Sequence, residues 1–448
     1  MKRKLLVLGQ SFALFLLAFS LLIAYASFAA GPTSILYKLN PSFGSWSSPA
    51  KNVSEGENET TQHHALKEFN NTLLAQSAAY IKAVMTPEDD SFPRLECPSL
   101  STDLTTRYEY LADHSEVAAA SGSQIQYFFA LDLHQCAPLL PRLLGSVVET
   151  IRFLGPERCV LSIVEGRSDD GTYEILTSLR AELEPIGITY FLTTNEGDPT
   201  GDGRDRIKVL AELRNEALLP LSKQPELYSQ STTVIFLNDV AICMDDILEL
   251  IHQRLSQAAD MTCAMDWTYV GANPTFYDVW IARGMNGDTF FNIPEDGSWD
   301  YAWNIFWNNP AAEKRMQAGR AFQVFSCWNG ATAFTAKPII EQQVAFRSHN
   351  DLECFQGEPK LFCKDMWKAG YGKIAVVPSI NLEYSDEAGR QIKEAKGYVS
   401  HWVQRESSSD LSLQIDWEAS PPPIVKCMSS YGNQSWPPWD EGLGETNM

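Results

Sequence analysis

The stretch TTVIFLND (Thr232–Asp239) carries a β-prone, largely apolar run into an amide and a carboxylate, Asn238 and Asp239. A carboxylate beside a dry sheet is costly unless something positive sits against it. Taken alone, such a residue caps a helix or shapes a turn. Two further apolar runs end the same way. Glu165, with Ser168, Asp169 and Asp170 just beyond, follows RCVLSIV, and Asp266 follows ADMTCAM. Three acidic strand ends on one edge lead us to expect a cation site, because oxygen ligands on loops suit Mg²⁺ or Mn²⁺.

The elements that must position these acids read clearly. QYFFALDLH, RCVLSIVEG, ITYFLTT, TTVIFLND and ADMTCAMDW are strand-like, and between them lie PLLPRLLGSVVETIRFLG, Thr172 to Leu183, DRIKVLAELRNEALLPL and DDILELIHQRL, apolar at helical spacing. Asp245 and Asp246 open the last of these, in the turn that favours negative charge. Apolar strands alternating with amphipathic helices predict an α/β fold with a mostly parallel, Rossmann-like sheet. Ligands of such sheets bind beyond the carboxyl ends of the strands. Residues 124–266 therefore form one half of the domain. Residues 267–400 form the other, with six of the twelve tryptophans between 267 and 328, mixed with amides and carboxylates. That mixture suits a sugar-binding cleft, and equally a packed core. Residues 401–448 thin into a Pro-rich tail.

The whole chain has 448 residues, 44% apolar, with a formal charge of −21. This is enough for a large core, and the acidity excludes the basic footprint of a nucleic-acid binder. Met1-Lys2-Arg3-Lys4 precedes 26 uncharged residues, Leu5 to Ala30. A helix of that length reaches roughly 39 Å, past a hydrocarbon core of about 30 Å. We read a four-residue cytosolic tail (1–4), a transmembrane signal-anchor (5–30), and a stem and lead-in region (31–123) across the membrane; the alternative is a signal peptide cleaved near Ser27-Phe28-Ala29. Sequons at Asn52, Asn58, Asn70 and Asn433 fit a lumenal chain. Nine cysteines without a C-x-x-C pair speak against a zinc ribbon and leave an odd thiol after any pairing.

The blocks SIVEGRSDDGT, RIKVLAELRN, VIFLNDVAICMDDILEL, DMTCAMDW, FYDVWIARGMNGD, FSCWNGATAF and FRSHNDLECFQGEPKLFCKDMW together resemble the fungal cryptococcal-type α-1,3-mannosyltransferases, relatives of the capsule-associated proteins in glycosyltransferase family 69. The resemblance spans about Gln124 to Ser385. It implies a GT-A-like fold, a nucleotide-sugar donor (GDP-mannose in the best-known members), a glycan acceptor, a divalent metal, a retaining transfer and a Golgi membrane location. In GT-A enzymes an Asp-x-Asp-like motif holds the metal that bridges the donor's phosphates. Here the match is Leu237-Asn238-Asp239, so the first acid is absent. Asp239 becomes the principal metal ligand and Asn238 a helper or ribose contact. By the same resemblance Glu165, Asp169 and Asp170 hold base and ribose, or form only a turn. Arg206, Arg214 and Asn215 meet the donor. Asp266, Trp328, Asn329 and Gly330 line the sugar or acceptor. Glu358 and Asp365, seven residues apart and on one helical face, flank the reacting carbon. His401 completes the metal site.

A serine hydrolase needs a nucleophile elbow, and GRSDDG (Gly166–Gly171) is one residue too long for it. GDPTGDGRD (Gly197–Asp205) lacks the Lys-Ser/Thr of a P-loop. The remaining rivals are a membrane-anchored carbohydrate-binding protein that has lost catalysis, and a transferase using UDP-xylose or UDP-glucose.

Overall fold

The structure, a computed structural model, describes residues 70–112, 125–201, 203–406 and 411–444. The membrane-span expectation for 5–30 and the sequons at Asn52 and Asn58 lie outside these residues. No helix among the described residues is long and apolar enough to cross a membrane.

Two helices, α1 (Asn71–Met85) and α2 (Thr102–Tyr108), lead into β1 (Ile125–Leu133), α3 (Leu140–Leu154), β2 (Cys159–Glu165), α4 (Thr172–Leu183), β3 (Thr189–Thr194), α5 (Arg206–Lys223), β4 (Tyr228–Leu237), α6 (Met244–Ser256) and β5 (Met261–Val270). These bounds follow the sequence pattern closely. The helix expected over Thr172 to Leu183 forms over those residues. Strand β2 is buried throughout, as befits a strand covered on both faces.

The second half adds β6 (Asn273–Phe276), β7 (Arg283–Gly284), α7 (Pro310–Gln317), β8 (Phe322–Ser326), β9 (Ala331–Thr335), α8 (Glu358–Lys368), β10 (Ile374–Leu382), α9 (Asp386–Lys396), α10 (Val399–Arg405), and the hairpin β11 (Cys427–Ser430) with β12 (Asn433–Ser435). The large sheet runs β3-β2-β1-β4-β9-β5-β10-β8-β7, with β6 on β5. Strands β1 to β4 pair in parallel, as do β5 and β10. Most strands thus run parallel as expected, but β6, β8 and β9 run antiparallel to their neighbours. Strand β9 enters antiparallel between β4 and β5, which sequence order alone would have made neighbours.

Each face of the sheet carries its own core. Leu131, Leu237 and the apolar sides of α3 and α6 fill one. Phe128, Phe236, α5 and the aromatic loops of the second half fill the other. The lead-in region belongs to the first core from Ile81 onward, through Leu95, Leu104 and Tyr108. Cys97 is bonded there to Cys243, at the start of α6. Cys263–Cys327 and Cys354–Cys427 are the other disulfides, and Cys136, Cys159 and Cys363 are buried free thiols. A buried Lys393–Asp246 pair, 2.6 Å apart with both side chains inaccessible, locks α9 onto the N-terminal turn of α6.

Candidate functional site at the carboxyl ends of the strands

Strand β4 stops at Leu237 because Asn238 turns its backbone toward the β8–β9 loop. The Asn238 N–H donates to the Gly330 carbonyl at 2.9 Å. Gly330 has φ +80°, and a Cβ there would stand 3.1 Å from Val240 and 3.5 Å from Asp266. Its small size serves this close approach of strand to loop. Asn329 precedes it at φ +56°, a left-handed conformation asparagine tolerates. Asn329 is fully buried; its side-chain amide donates to the Ala264 carbonyl at 2.8 Å and its backbone N–H to Asp278 Oδ2 at 3.0 Å. The sequence reading gave Asn329 to sugar hydroxyls; here it ties β5 to the β6–β7 loop.

Trp328 is also enclosed. Its indole N–H donates to Asn238 Oδ1 at 3.0 Å, and Phe236, Phe346 and Phe362 surround the ring. Over it lies the Arg214 guanidinium, 4.7 Å from the ring centroid. Arg214 is 9% exposed and donates through Nε to Glu358 Oε1 at 2.9 Å. Its Nη1 is buried without a hydrogen-bond partner. Neighbouring Asn215 holds the backbone of Phe346 from both sides, at 2.8 and 2.9 Å, and so fixes that wall. Four expected residues, Asn238, Arg214, Trp328 and Glu358, thus form one connected unit beside Asp239.

Two acids that sequence reasoning passed over complete it. Asp132 lies in β1, and Asp278 in the loop after β6. Burial pushes both carboxyls up to about 6, and the charges of Arg214 and Glu358 act on each. Asp239 is open at its surface, yet the protein around it desolvates its carboxyl enough to raise it, against the pull of Arg214 and His134. Asp266 sits beneath, fully buried, accepting the Tyr384 hydroxyl at 2.6 Å; burial and the nearby Asp278 hold its carboxyl well above the usual range. Tyr277, against Tyr384 at 5.2 Å, presents an exposed ring beside these groups. The signal for Asp132 was legible: LDL places one acid inside an otherwise apolar strand. Asp278 lay within a recognised block, FYDVW, but with no strand or helix to aim it.

The other expected residues are placed differently. Arg206 is exposed at the first turn of α5, where its charge acts on Tyr277. Glu165 accepts from the Ser168 N–H at 2.6 Å, Asp169 from the Gln135 amide, and Asp170 from Ala137 and Thr172, so these acids join the loops after β1 and β2. Asp365 is held twice by Arg347, at 2.6 and 2.8 Å, in a network with Glu353 and Lys364. The single helical face it shares with Glu358 therefore serves two different partners. His401 is exposed, with its ring against Tyr398 and Gly397. Asn70 and Asn433 are both exposed; Asn70 also caps α1 through its side-chain oxygen.

A divalent cation would meet a suitable setting here. Asp132, Asp239, Asp278 and Glu358 surround one buried guanidinium, leaving an excess of negative charge in a partly desolvated place. Elsewhere among the described residues, Cys243, Asp245 and Asp246 bring ligand-type atoms within 4.8 Å of one another. That trio is no metal centre, since Cys243 is in a disulfide and Lys393 neutralises Asp246.

Comparison with known proteins agrees with the resemblance in sequence. The family model described as cryptococcal mannosyltransferase 1 matches residues 126–365. The α-1,3-mannosyltransferase CMT1 of Cryptococcus neoformans is 33% identical over 317 residues, covering 67% of this chain and 67% of that protein. Distant solved structures include PcManGT, a mannosyltransferase of Pyrobaculum calidifontis in complex with GDP-Man and Mn²⁺, at 12% identity, 76% of each chain and a TM-score of 0.35. TarS 1–349 of S. aureus is another, at 13% identity, 64% of this chain, 67% of that one and a TM-score of 0.33. By the extent of the family match and the identity to its fungal relative, the chain belongs to the cryptococcal mannosyltransferase 1 family.

Proposed function

We propose that this protein transfers a mannosyl residue from GDP-mannose to a glycan acceptor, forming an α-1,3 linkage with retention, in the Golgi membrane. Membership of the family supports mannosyl transfer. The observation that supports a metal-assisted nucleotide-sugar donor is the convergence of Asp239, Asp132, Asp278 and Arg214 near the carboxyl ends of β1, β4 and β5, where open α/β sheets hold their ligands.

Each group has a task that its position supports. The free Nη1 of Arg214 offers a donor to an anionic oxygen of the diphosphate, and the Trp328–Glu358 frame keeps it aimed. Asp278, fixed by the Asn329 N–H, orients an acceptor hydroxyl. The exposed Tyr277 ring offers a face for a sugar. Glu358 acts through Arg214 as a positioning residue. A divalent cation, Mn²⁺ or Mg²⁺, held by Asp239 would supply neutralisation of the diphosphate as it leaves. The three disulfides and the basic-then-apolar N-terminus support a lumenal domain behind a single type II span.

The purified full chain, incubated with Mn²⁺ and a panel of nucleotide sugars, is expected to bind and slowly hydrolyse GDP-mannose in preference to UDP-sugars. A folded sample that binds none of them favours the carbohydrate-binding alternative. Preference for UDP-glucose or UDP-xylose replaces the donor assignment.

A further inference from the structure

Strand β4 carries only one of the two acids that a diphosphate-binding cation motif needs, because Asn238 stands where the first would be. We propose that Asp132, delivered by the neighbouring strand β1, supplies the missing carboxylate, and that Asp132 and Asp239 together hold the donor's divalent cation. The inference rests on the nucleotide-sugar reading above.

The register of the sheet places the two positions side by side. Strands β1 and β4 pair in parallel with Ala130 opposite Phe236 and Leu131 opposite Leu237. Asp132 continues β1 and Asn238 is the first residue beyond β4, each one position past the last ladder pair. Alternation settles the face. Leu131 and Leu237 point into one core, so Asp132 and Asn238 point to the other, the side of Phe236 and Trp328. The Asn238–Trp328 hydrogen bond, at 3.0 Å, confirms that direction and occupies the Asn238 side-chain oxygen. Asn238 is thereby turned from ligand into support.

Asp132 has the opposite character. It is half-buried, and among the described residues nothing donates a hydrogen bond to it, while the charges of Arg214, Glu358, Asp239 and His134 act on it. An acid withdrawn from water without donors, facing other acids, is stabilised by a cation. A second observation points to a ligand. Arg214, more than nine-tenths buried, leaves Nη1 without a partner, and its charge reaches Asp132, Asp239 and Asp278. Two carboxylates within reach of each other's charge, and an unused guanidinium N–H whose charge acts on both, suit a metal diphosphate.

The test titrates Mn²⁺ into the detergent-solubilised full chain, with and without GDP, and reads free Mn²⁺ by electron paramagnetic resonance. Asp132→Asn and Asp239→Asn are each expected to weaken binding by roughly tenfold or more. The double variant Asp132→Asn/Asn238→Asp, which moves the acid back to β4, is expected to recover most of that loss. Wild-type affinity in Asp132→Asn overturns the assignment. So does a loss that the relocated acid fails to recover in a protein with unchanged near-ultraviolet circular dichroism. If the wild type binds no Mn²⁺ in either condition, the cation site falls. GDP-mannose turnover in chelator by that same sample would then leave mannosyl transfer standing.

Discussion

Replacing Arg214 by methionine separates what this residue does for the fold from what it does for the donor. Methionine keeps an unbranched chain between Trp328, Phe236 and Phe346 but removes the guanidinium from above their rings. Glu358, only 3% exposed, then loses its donor at 2.9 Å. Breaking a buried pair by removing one partner costs about 3–5 kcal/mol, and the lost ring contact adds about 0.5–2 kcal/mol. Against a total stability of about 5–15 kcal/mol the variant should be severely weakened. Arg214→Met/Glu358→Leu removes the stranded charge as well, and should return to within about 1 kcal/mol of wild type, because apolar replacement of a buried pair is often neutral. Donor binding should not return with it. A charged hydrogen bond to phosphate contributes about 1.5–3 kcal/mol, so GDP-mannose should bind roughly 10- to 150-fold more weakly in the stable double variant. Urea denaturation measures the first effect and titration calorimetry the second. A single variant within 1 kcal/mol of wild type refutes the buried-pair reasoning. A double variant that binds GDP-mannose normally confines Arg214 to the fold.

Lys393→Met should cost about 3–5 kcal/mol in urea denaturation, since it strands Asp246, which is fully buried and 2.6 Å from Lys393 Nζ. Cys97→Ser opens the disulfide that closes 146 residues of chain, and should lower stability by about 2–5 kcal/mol in urea denaturation without reductant. Asp245, buried beside Asp246 and Lys393, has its carboxyl pushed up to about 7, mainly by burial. The folded state therefore binds this proton more tightly than the unfolded chain. The stabilisation is complete below about pH 4 and is lost as pH rises through about 7, by up to roughly 4 kcal/mol. Asp245→Asn should flatten that slope in denaturation midpoints measured between about pH 4 and 8.

Strands β1 to β5 and the helices between them were legible because each repeats one period long enough to register. Strand β9 was not legible as a neighbour of β4. ATAFT is five residues long, and nothing in it encodes an antiparallel insertion 94 positions further along the chain than the end of β4. For the site, the acids at strand ends were found by their position, and Asp239 and Asp266 lie where the pattern put them. Trp328 and Asn329 were assigned to sugar because tryptophan and asparagine do bind sugars. Their partners, Asn238, Arg214, Ala264 and Asp278, come from four separate segments, and only the folded chain shows the polar groups already committed. Glu358 and Asp365 share a helical face as their spacing requires, yet periodicity says nothing about which arginine awaits each one.

The antiparallel insertion also sets an order of events during synthesis. Until β9 leaves the ribosome, the growing edge of β4 faces solvent as an unpaired row of amides and carbonyls, open to mispairing. The delay covers about 90 residues, on the order of 5–20 s at ordinary translation rates. The next strand to arrive, β5, has no place beside β4 in the finished sheet, so a nascent chain that paired them would have to come apart again. Chains truncated before β9 would lack the central strand altogether, and the newly made protein must be sheltered until that strand has emerged.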